Sequence, residues 1–363
     1  MQDAAEVEEA LADAGLRYSS DEEPGIARRR SGRGFSYVDA QGRVIRDPAV
    51  LSRIRSLAIP PAYRDVWICR SANGHLQATG IDARGRKQYR YHPEWRALRD
   101  ADKFERLAAF GKSLSRIRKR VSTDIRATGM TRERVVATVV RLLDRTLIRI
   151  GNEQYARANR SYGLTTLRDR HVAVRGKTIH FEFRGKAGIV HKLSVDDPAA
   201  ADALRDCLDL PGQELFQYVD DAGTRRTVTS TDVNAYLREA SGADYTAKDF
   251  RTWHATIAAL EALGTLRFTS AREAKGHVKD VLCGIAARLG NTPAMCRKCY
   301  VHPGVLEAFL LGRLSVSKRT SRERLLQLLS RTAQSPAASG PKRRQRAFPT
   351  GADKHSALRQ RAP

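Results

Sequence analysis

The spacing of apolar residues divides the chain into two unlike parts. From Phe35 to about Ile81, hydrophobic residues come in short runs closed by turn formers. Phe35-Ser36-Tyr37-Val38 reads as a strand ending at the hairpin turn Asp39-Ala40-Gln41-Gly42. Val66-Trp67-Ile68-Cys69 and His75-Leu76-Gln77-Ala78-Thr79 flank Asn73-Gly74 as two more strands. From about Asp102 the period becomes helical. Leu107, Phe110, Leu114 and Ile117 fall on one face, and Val135, Val136, Val139, Val140, Leu143 and Leu147 repeat the pattern across 132–150. One β insertion interrupts the helices: His171–Arg175, Thr178–Arg184 and Ile189–Val195, joined by Arg-Gly-Lys and Gly-Lys-Ala-Gly turns. Helices resume to about residue 332.

The pattern predicts an α+β chain in four segments. Residues 1–34 form a lead-in, with a short acidic amphipathic helix over 2–14 and a mobile polar stretch over 19–34. Residues 35–101 form a small domain on an antiparallel sheet. Residues 102–333 form a larger, mainly helical domain with a small three-stranded sheet. Residues 334–363, rich in Ser, Pro, Ala and Arg, form a disordered basic tail. There is no internal repeat of fixed period.

Charge narrows the choice of partner. The 363 residues carry a formal net charge of +25. Residues 1–23 contribute −7 and residues 335–363 contribute +6, so residues 24–334 carry +26. The excess belongs to the folded body, which points to a polyanion such as nucleic acid. Five cysteines, at 69, 207, 283, 296 and 299, argue against a disulfide framework and for a reducing, cytoplasmic compartment. No apolar run approaches the ~20 residues of a membrane span, and the acidic N-terminus lacks a signal-peptide pattern.

The candidate chemistry is spread along the second part. Arg149 ends an apolar helix, just before Gly151, in Leu147-Ile148-Arg149-Ile150-Gly151-Asn152. Lys186 lies in the turn Phe183-Arg184-Gly185-Lys186. Arg251 falls near a helix start in Lys248-Asp249-Phe250-Arg251-Thr252-Trp253. Asn291 and Tyr300 bound the segment Gly290-Asn291-Thr292-Pro293 through Cys299-Tyr300. Two arginines, a lysine, an amide and a phenol suit phosphoryl transfer without a metal. A phenol attacks phosphorus, and fixed cations stabilise the added negative charge. A lysine on a mobile turn is able to protonate an alkoxide leaving group. Each residue also has an ordinary reading. Arg149 suits a helix C-terminus, Arg251 a salt bridge with Asp249, Lys186 a solvated turn, and Asn291 the cap of the next helix. Cys296 and Cys299 form a lone Cys-x-x-Cys with no second pair to complete a zinc site.

A second cluster is Arg84-Gly85-Arg86-Lys87-Gln88-Tyr89-Arg90-Tyr91, in which basic and aromatic residues alternate. Lysine and arginine suit phosphates, glutamine suits a base edge, and tyrosines pack on sugars or bases. The ordinary alternative is an exposed strand with alternating faces.

Together these segments resemble the type IB DNA topoisomerases of the poxvirus and bacterial branch, over most of residues 35–330. The motifs that carry the resemblance are Ile-Arg-Ile-Gly-Asn at 148–152, Phe-Arg-Gly-Lys at 183–186, Lys-Asp-Phe-Arg-Thr at 248–252, and Leu-Gly-Asn-Thr-Pro at 289–293 through Tyr300. The resemblance implies Tyr300 as nucleophile, Arg149 and Arg251 as ligands of the scissile phosphate, Lys186 as general acid and Lys248 as an accessory lysine. It further implies that Gln88, Tyr89, Tyr91 and Tyr155 contact DNA, and Arg86 and Lys87 join them as DNA-binding candidates by their charge. It implies a C-shaped clamp around double-stranded DNA, a 3′-phosphotyrosine intermediate, strand swivelling and religation, with no ATP, metal or other cofactor. A monomer on the bacterial nucleoid is the matching expectation. The sequence departs from the poxviral pattern at Asn291, where histidine is usual, at Asn152 in place of a DNA-contacting lysine, and at Ala294 in place of serine.

Two other readings compete. A tyrosine recombinase shares the Arg-Lys-Arg-Tyr chemistry, but carries histidine where this chain has Lys248 and begins with helices rather than strands. A non-enzymatic DNA binder accounts for the charge but leaves the ordered set ending at Tyr300 unexplained.

Overall fold

The computed structural model describes residues 8, 11–83, 85–314 and 320–333, excluding the side chains of 100–103 and 331–333. Most of the acidic N-terminal helix, Arg84 and the 334–363 tail therefore lie outside the described residues.

The N-terminal part is a five-stranded antiparallel sheet. Its strands are β1 (Ile26–Ser31), β2 (Gly34–Val38), β3 (Arg64–Ile68), β4 (Leu76–Ile81) and β5 (Lys87–Tyr91), in the order β2-β1-β3-β4-β5. Helix α1 (Pro48–Ser56) covers one face. Asp47 caps it by accepting from the amide of Ala49 at 2.8 Å, and Pro48 opens its first turn. Ile54 from this helix joins Ile26, Val66, Ile68 and Ala78 in a small separate core.

The mobile stretch expected over 19–34 is instead partly a strand. β1 pairs with β2 from Ala27↔Val38 to Ser31↔Gly34, and with β3 at Ile26↔Ile68. Its sequence, Ile-Ala-Arg-Arg-Arg-Ser, has one large apolar residue, so alternation gave no signal. The strand is held by its neighbours rather than by its own pattern. Trp67 also anchors the approach by donating from Nε1 to the Glu23 carbonyl at 2.8 Å.

β5 passes directly into helix α2 (Pro93–Asp124), capped by His92. The helix thus begins nine residues before the periodic pattern does. Leu107, Phe110, Leu114, Ile117 and Val121 are buried against the second part, whereas the first turns pack differently: Trp95 lies edge-on to His75 of the sheet, with ring centroids 5.4 Å apart.

The second part has one large core. Helix α3 (Arg132–Thr146), capped by Thr131, is buried almost throughout its middle. It is followed by helix α4 (Glu153–Asn159) and the three-stranded antiparallel sheet β6 (Val172–Arg175), β7 (Thr178–Arg184) and β8 (Val190–Asp196), in the order β6-β7-β8. Ile179, Phe181 and Phe183 alternate inward along β7. Helices α5 (Pro198–Leu208), α6 (Ser230–Ser241), α7 (Ala247–Gly264), α8 (Ala271–Leu289), α9 (Pro293–Cys299), α10 (Pro303–Leu310) and α11 (Ser321–Ala333) complete the body. The central helix is α7, which packs on α2, α3, α6, α8, α10 and α11.

The sequence reading left out helix α1, helix α4 and one hairpin. A short hairpin, β9 (Gln217–Val219) and β10 (Arg225–Thr227), lies between α5 and α6. Three-residue strands are too short to show a period, although Asp220-Asp221-Ala222-Gly223 is a turn signal. Among the described residues, no helix is long and apolar enough to cross a membrane.

Candidate active site

Three chain reversals bring the dispersed residues together. The first ends α3, where Leu147 adopts a left-handed conformation with φ of 58°. The chain leaves the helix there, so Arg149 lies two residues past it in an extended segment rather than on the last turn. Backbone bonds from Leu164 to Arg149 and from Thr165 to Ile150, at 2.8 and 2.7 Å, hold that segment. A Cβ at Gly163 would meet the Arg149 carbonyl at 2.5 Å, so this close approach requires glycine.

The second reversal is Gly290, in the left-handed region with φ of 59° at the end of α8. Asn291 follows it. The helix cap expected of Asn291 belongs instead to Thr292, whose hydroxyl accepts from the amide of Met295 at 3.2 Å. This frees the Asn291 side chain for the interior. The third reversal ends α9 at Tyr300, whose amide bonds to the Cys296 carbonyl at 3.0 Å. Thr256 of α7 fixes the Tyr300 backbone by donating to its carbonyl at 3.1 Å, while the same hydroxyl accepts from the His302 amide at 3.1 Å.

Arg149, Arg251, Asn291 and Tyr300 converge. Arg251, in the second turn of α7, is only 4 % exposed. Its guanidinium donates from Nη1 to the Leu147 carbonyl and from Nη2 to the Leu289 carbonyl at 2.8 Å, joining the ends of α3 and α8. It also lies over the Tyr300 ring, 5.3 Å from the centroid. Arg149 donates from Nη2 to the Gly290 carbonyl at 3.0 Å and to Asn291 Oδ1.

Among the described residues, no carboxylate pairs with either arginine of this cluster. Burial disfavours the charged form of Arg149, and burial followed by the neighbouring Arg149 does so for Arg251. Hydrogen bonding and charge interaction with Tyr300 favour the charged form of Arg251. A guanidinium stays protonated at any ordinary pH, so the two cations sit side by side in a desolvated place. Asn291 Nδ2 and Arg251 Nε are buried with no hydrogen-bond partner among the described residues. Unpaired donors beside one buried and one half-buried cation form a cradle for an oxyanion.

Lys186 lies next to this cradle but not in it. It begins the single 3-10 turn Lys186–Gly188 between β7 and β8, where Ala187 and Gly188 both have positive φ. Its side chain is exposed. Lys248, the second residue of α7, is likewise exposed. The structure thus brings four of the six residues together and leaves the two lysines on the rim.

The second cluster forms the edge strand β5. Tyr89 and Tyr91 project from one face with rings nearly parallel at 12° and centroids 6.1 Å apart. Arg86 and Gln88 are both bonded to Asp82, at 2.6 and 2.9 Å, and Lys87 pairs with Asp21 at 2.5 Å. The charged form of Arg86 is favoured first by Asp82 and then by Tyr155, so α4 of the helical part comes close to the sheet here. Asn152 caps α4 by accepting from the Tyr155 amide at 2.9 Å.

Comparison with known proteins fits this geometry. Residues 92–320 match the model of the eukaryotic DNA topoisomerase I catalytic core, and residues 34–82 match that of the bacterial DNA topoisomerase IB N-terminal domain. The chain belongs to the type IB DNA topoisomerases. It is 32 % identical to a DNA topoisomerase 1B of Acanthamoeba polyphaga mimivirus over 293 residues, covering 78 % of this chain and 87 % of that one. It is also 34 % identical over 88 residues to a DNA topoisomerase 1 of Mycosarcoma maydis, covering 24 % of this chain and 8 % of that one. Membership of this family makes the protein an isomerase that breaks and rejoins DNA.

For a type IB topoisomerase, the sequence reading passed over two residues at the site. Thr256 anchors the nucleophile candidate from the middle of α7, and nothing in its local pattern marks it. His191 lies on β8 beside Arg149, and its position follows once Lys186 is assigned to the turn: antiparallel pairing then sets residue 191 opposite Phe183.

Proposed function

We propose that Tyr300 attacks a phosphodiester of duplex DNA, giving a 3′-phosphotyrosine and a free 5′-hydroxyl. Arg149, Arg251 and the Asn291 amide bind the non-bridging oxygens, and Lys186 protonates the departing 5′ oxygen. Lys248 adds positive charge at the rim. The strand swivels about its intact partner, superhelical tension falls, and the reverse attack reseals the break. The phosphotyrosine conserves the energy of the broken ester, so ATP and a divalent metal have no part in the chemistry.

The observation that carries this reading is the uncompensated cradle. The Arg251 guanidinium lies over the ring of Tyr300, and beside it Arg149 holds Asn291 with its amide donor unpaired. A phosphate there supplies the missing negative charge and accepts from the orphan donors. Residues 26–101, with β1 inside the sheet, and 102–333 act as the two jaws of a clamp. Arg86, Lys87, Gln88, Tyr89 and Tyr91 on one jaw and Tyr155 on the other face the duplex. The protein works as a monomer on the nucleoid of a bacterial cell.

The test is relaxation of supercoiled plasmid in EDTA without ATP, beside Tyr300→Phe. The parent relaxes plasmid and forms a denaturant-stable 3′ adduct; the variant does neither. A fully active Tyr300→Phe protein, or a strict need for ATP, refutes the scheme.

A further inference from the structure

His191 connects the turn that carries Lys186 to the corner that carries Arg149 and Asn291. It stands opposite Phe183 in the β7–β8 ladder. The imidazole stacks on the buried Phe183 ring, with centroids 5.1 Å apart and planes inclined by 14°. Its far edge faces two glycine backbones. A Cβ at Gly185 would lie 2.6 Å from His191 Cδ2 and Nε2. One at Gly290 would lie 2.7 Å from Cε1, 3.1 Å from Nε2 and 3.7 Å from Arg149 Nη1.

Gly185 directly precedes Lys186, and Gly290 directly precedes Asn291. Gly185 has φ of −95°, which any residue adopts, so the imidazole rather than the backbone requires glycine there. A single ring is therefore wedged between the backbones that present the proposed acid and the proposed phosphate donor. Burial, then Arg149 and Arg251, pushes the His191 pKa down, so the ring is neutral at pH 7 and adds no third cation to the pair.

We propose that His191 is a positioning residue for the leaving-group step, setting the Lys186 turn at a fixed distance from Arg149 and Asn291. This rests on the reading of Lys186 as the acid. As the Tyr300 hydroxyl gives its proton to solvent water and its oxygen bonds to phosphorus, the P–O5′ bond breaks and a proton passes from the Lys186 ammonium to the 5′ oxygen. His191 gives up no proton. It limits where the turn stands when that transfer occurs, and small misplacements of an acid are costly in rate.

The experiment is single-turnover cleavage of a duplex with a mapped cleavage site, carrying either the natural 5′ oxygen or a bridging sulfur at that phosphate. Sulfur departs as a thiolate and does not need the proton, so a defect in acid delivery disappears on the sulfur substrate. His191→Ala should cleave the oxygen substrate about 10-fold more slowly and the sulfur substrate within about 2-fold of the parent, a fraction of the ~10²–10⁴ that general acid catalysis supplies. Lys186→Ala should show the same selectivity with a larger defect. Gly185→Ala, whose methyl displaces the ring, should resemble His191→Ala. His191→Phe, which keeps the stack and the wedge, should cleave both substrates at nearly the parental rate. If His191→Ala is equally slow on both substrates while Lys186→Ala is rescued by sulfur, His191 serves phosphate binding or folding, and the proposal is wrong. Unchanged cleavage of the oxygen substrate by His191→Ala also overturns it. If Lys186→Ala is not rescued, Lys186 is not the acid and the inference falls with that assignment.

Discussion

Arg149 donates through Nη2 to the side-chain oxygen of Asn291, 142 residues further along the chain. This bond turns the amide so that Nδ2 is left buried and unpaired. Asn291→Ala should slow single-turnover cleavage by about 10²-fold, the scale of losing one preorganised oxyanion donor. Asn291→Asp should be slower still, because a carboxylate neutralises Arg149 and repels the phosphate. Cleavage by the aspartate variant at or above the rate of the alanine variant is the result that contradicts this.

Arg251 ties together the carbonyls of Leu147 and Leu289 while facing Tyr300. Lysine has the charge but not the planar fork. Arg251→Lys should therefore lose both activity and stability. Leaving a buried carbonyl without its donor costs about 1–3 kcal/mol, which denaturant unfolding would register. Cleavage should fall by at least ~10²-fold in the same variant. A protein of parental stability and rate would show that charge alone suffices.

Asp21 occupies Lys87, a residue assigned to DNA, and also accepts from Thr79 at 2.9 Å. The carboxylate is held below its ordinary pKa, first by the hydrogen bond from Lys87. If Lys87 contacts DNA as proposed, the duplex has to displace Asp21 to reach the ammonium. Asp21→Asn should tighten duplex binding about 2–5-fold at low salt, and the gain should shrink as salt rises. Unchanged low-salt affinity, by fluorescence anisotropy on a short duplex, removes this role for Asp21.

His302 gives a pH signature. It caps α10 by accepting from the Gly304 amide at 3.0 Å, and its ring packs edge-on to Phe104. Burial pushes its pKa down to about 4, from 6.5 in an exposed histidine. The unfolded state therefore binds a proton before the folded state does. Stability from this group is present above pH 6.5 and is lost as pH falls toward 4. The loss should amount to about 1–3 kcal/mol. His302→Asn, which retains a capping side chain, should flatten the dependence of Tm on pH across that window. An equally steep dependence in the variant would place its origin elsewhere.

Much of this was legible in the residue pattern. The three strands β6, β7 and β8 alternate cleanly and are separated by glycine turns, so their limits fall within two residues of the reading. The face of Leu107, Phe110, Leu114 and Ile117 repeats at helical spacing because it meets one continuous core. Where alternation was weak, the reading failed. β1 is half arginine and exists because β2 and β3 flank it. The site was legible as residue types and order, but not as contacts. That Arg149 leaves its helix through Leu147, and that Thr292 rather than Asn291 caps α9, depend on chain reversals and side-chain competition that no local period records.

Helix α2 runs without a break from the edge of the first sheet to the centre of the helical body, 32 residues in all. At about 1.5 Å per residue, such a rod is about 48 Å long. It has no internal proline, and its inner half is locked by buried side chains. One continuous rod thus carries both the sheet, which its first turn meets where Trp95 lies against His75, and the helical core, so a rotation of a few degrees at one end becomes several ångströms of travel at the other.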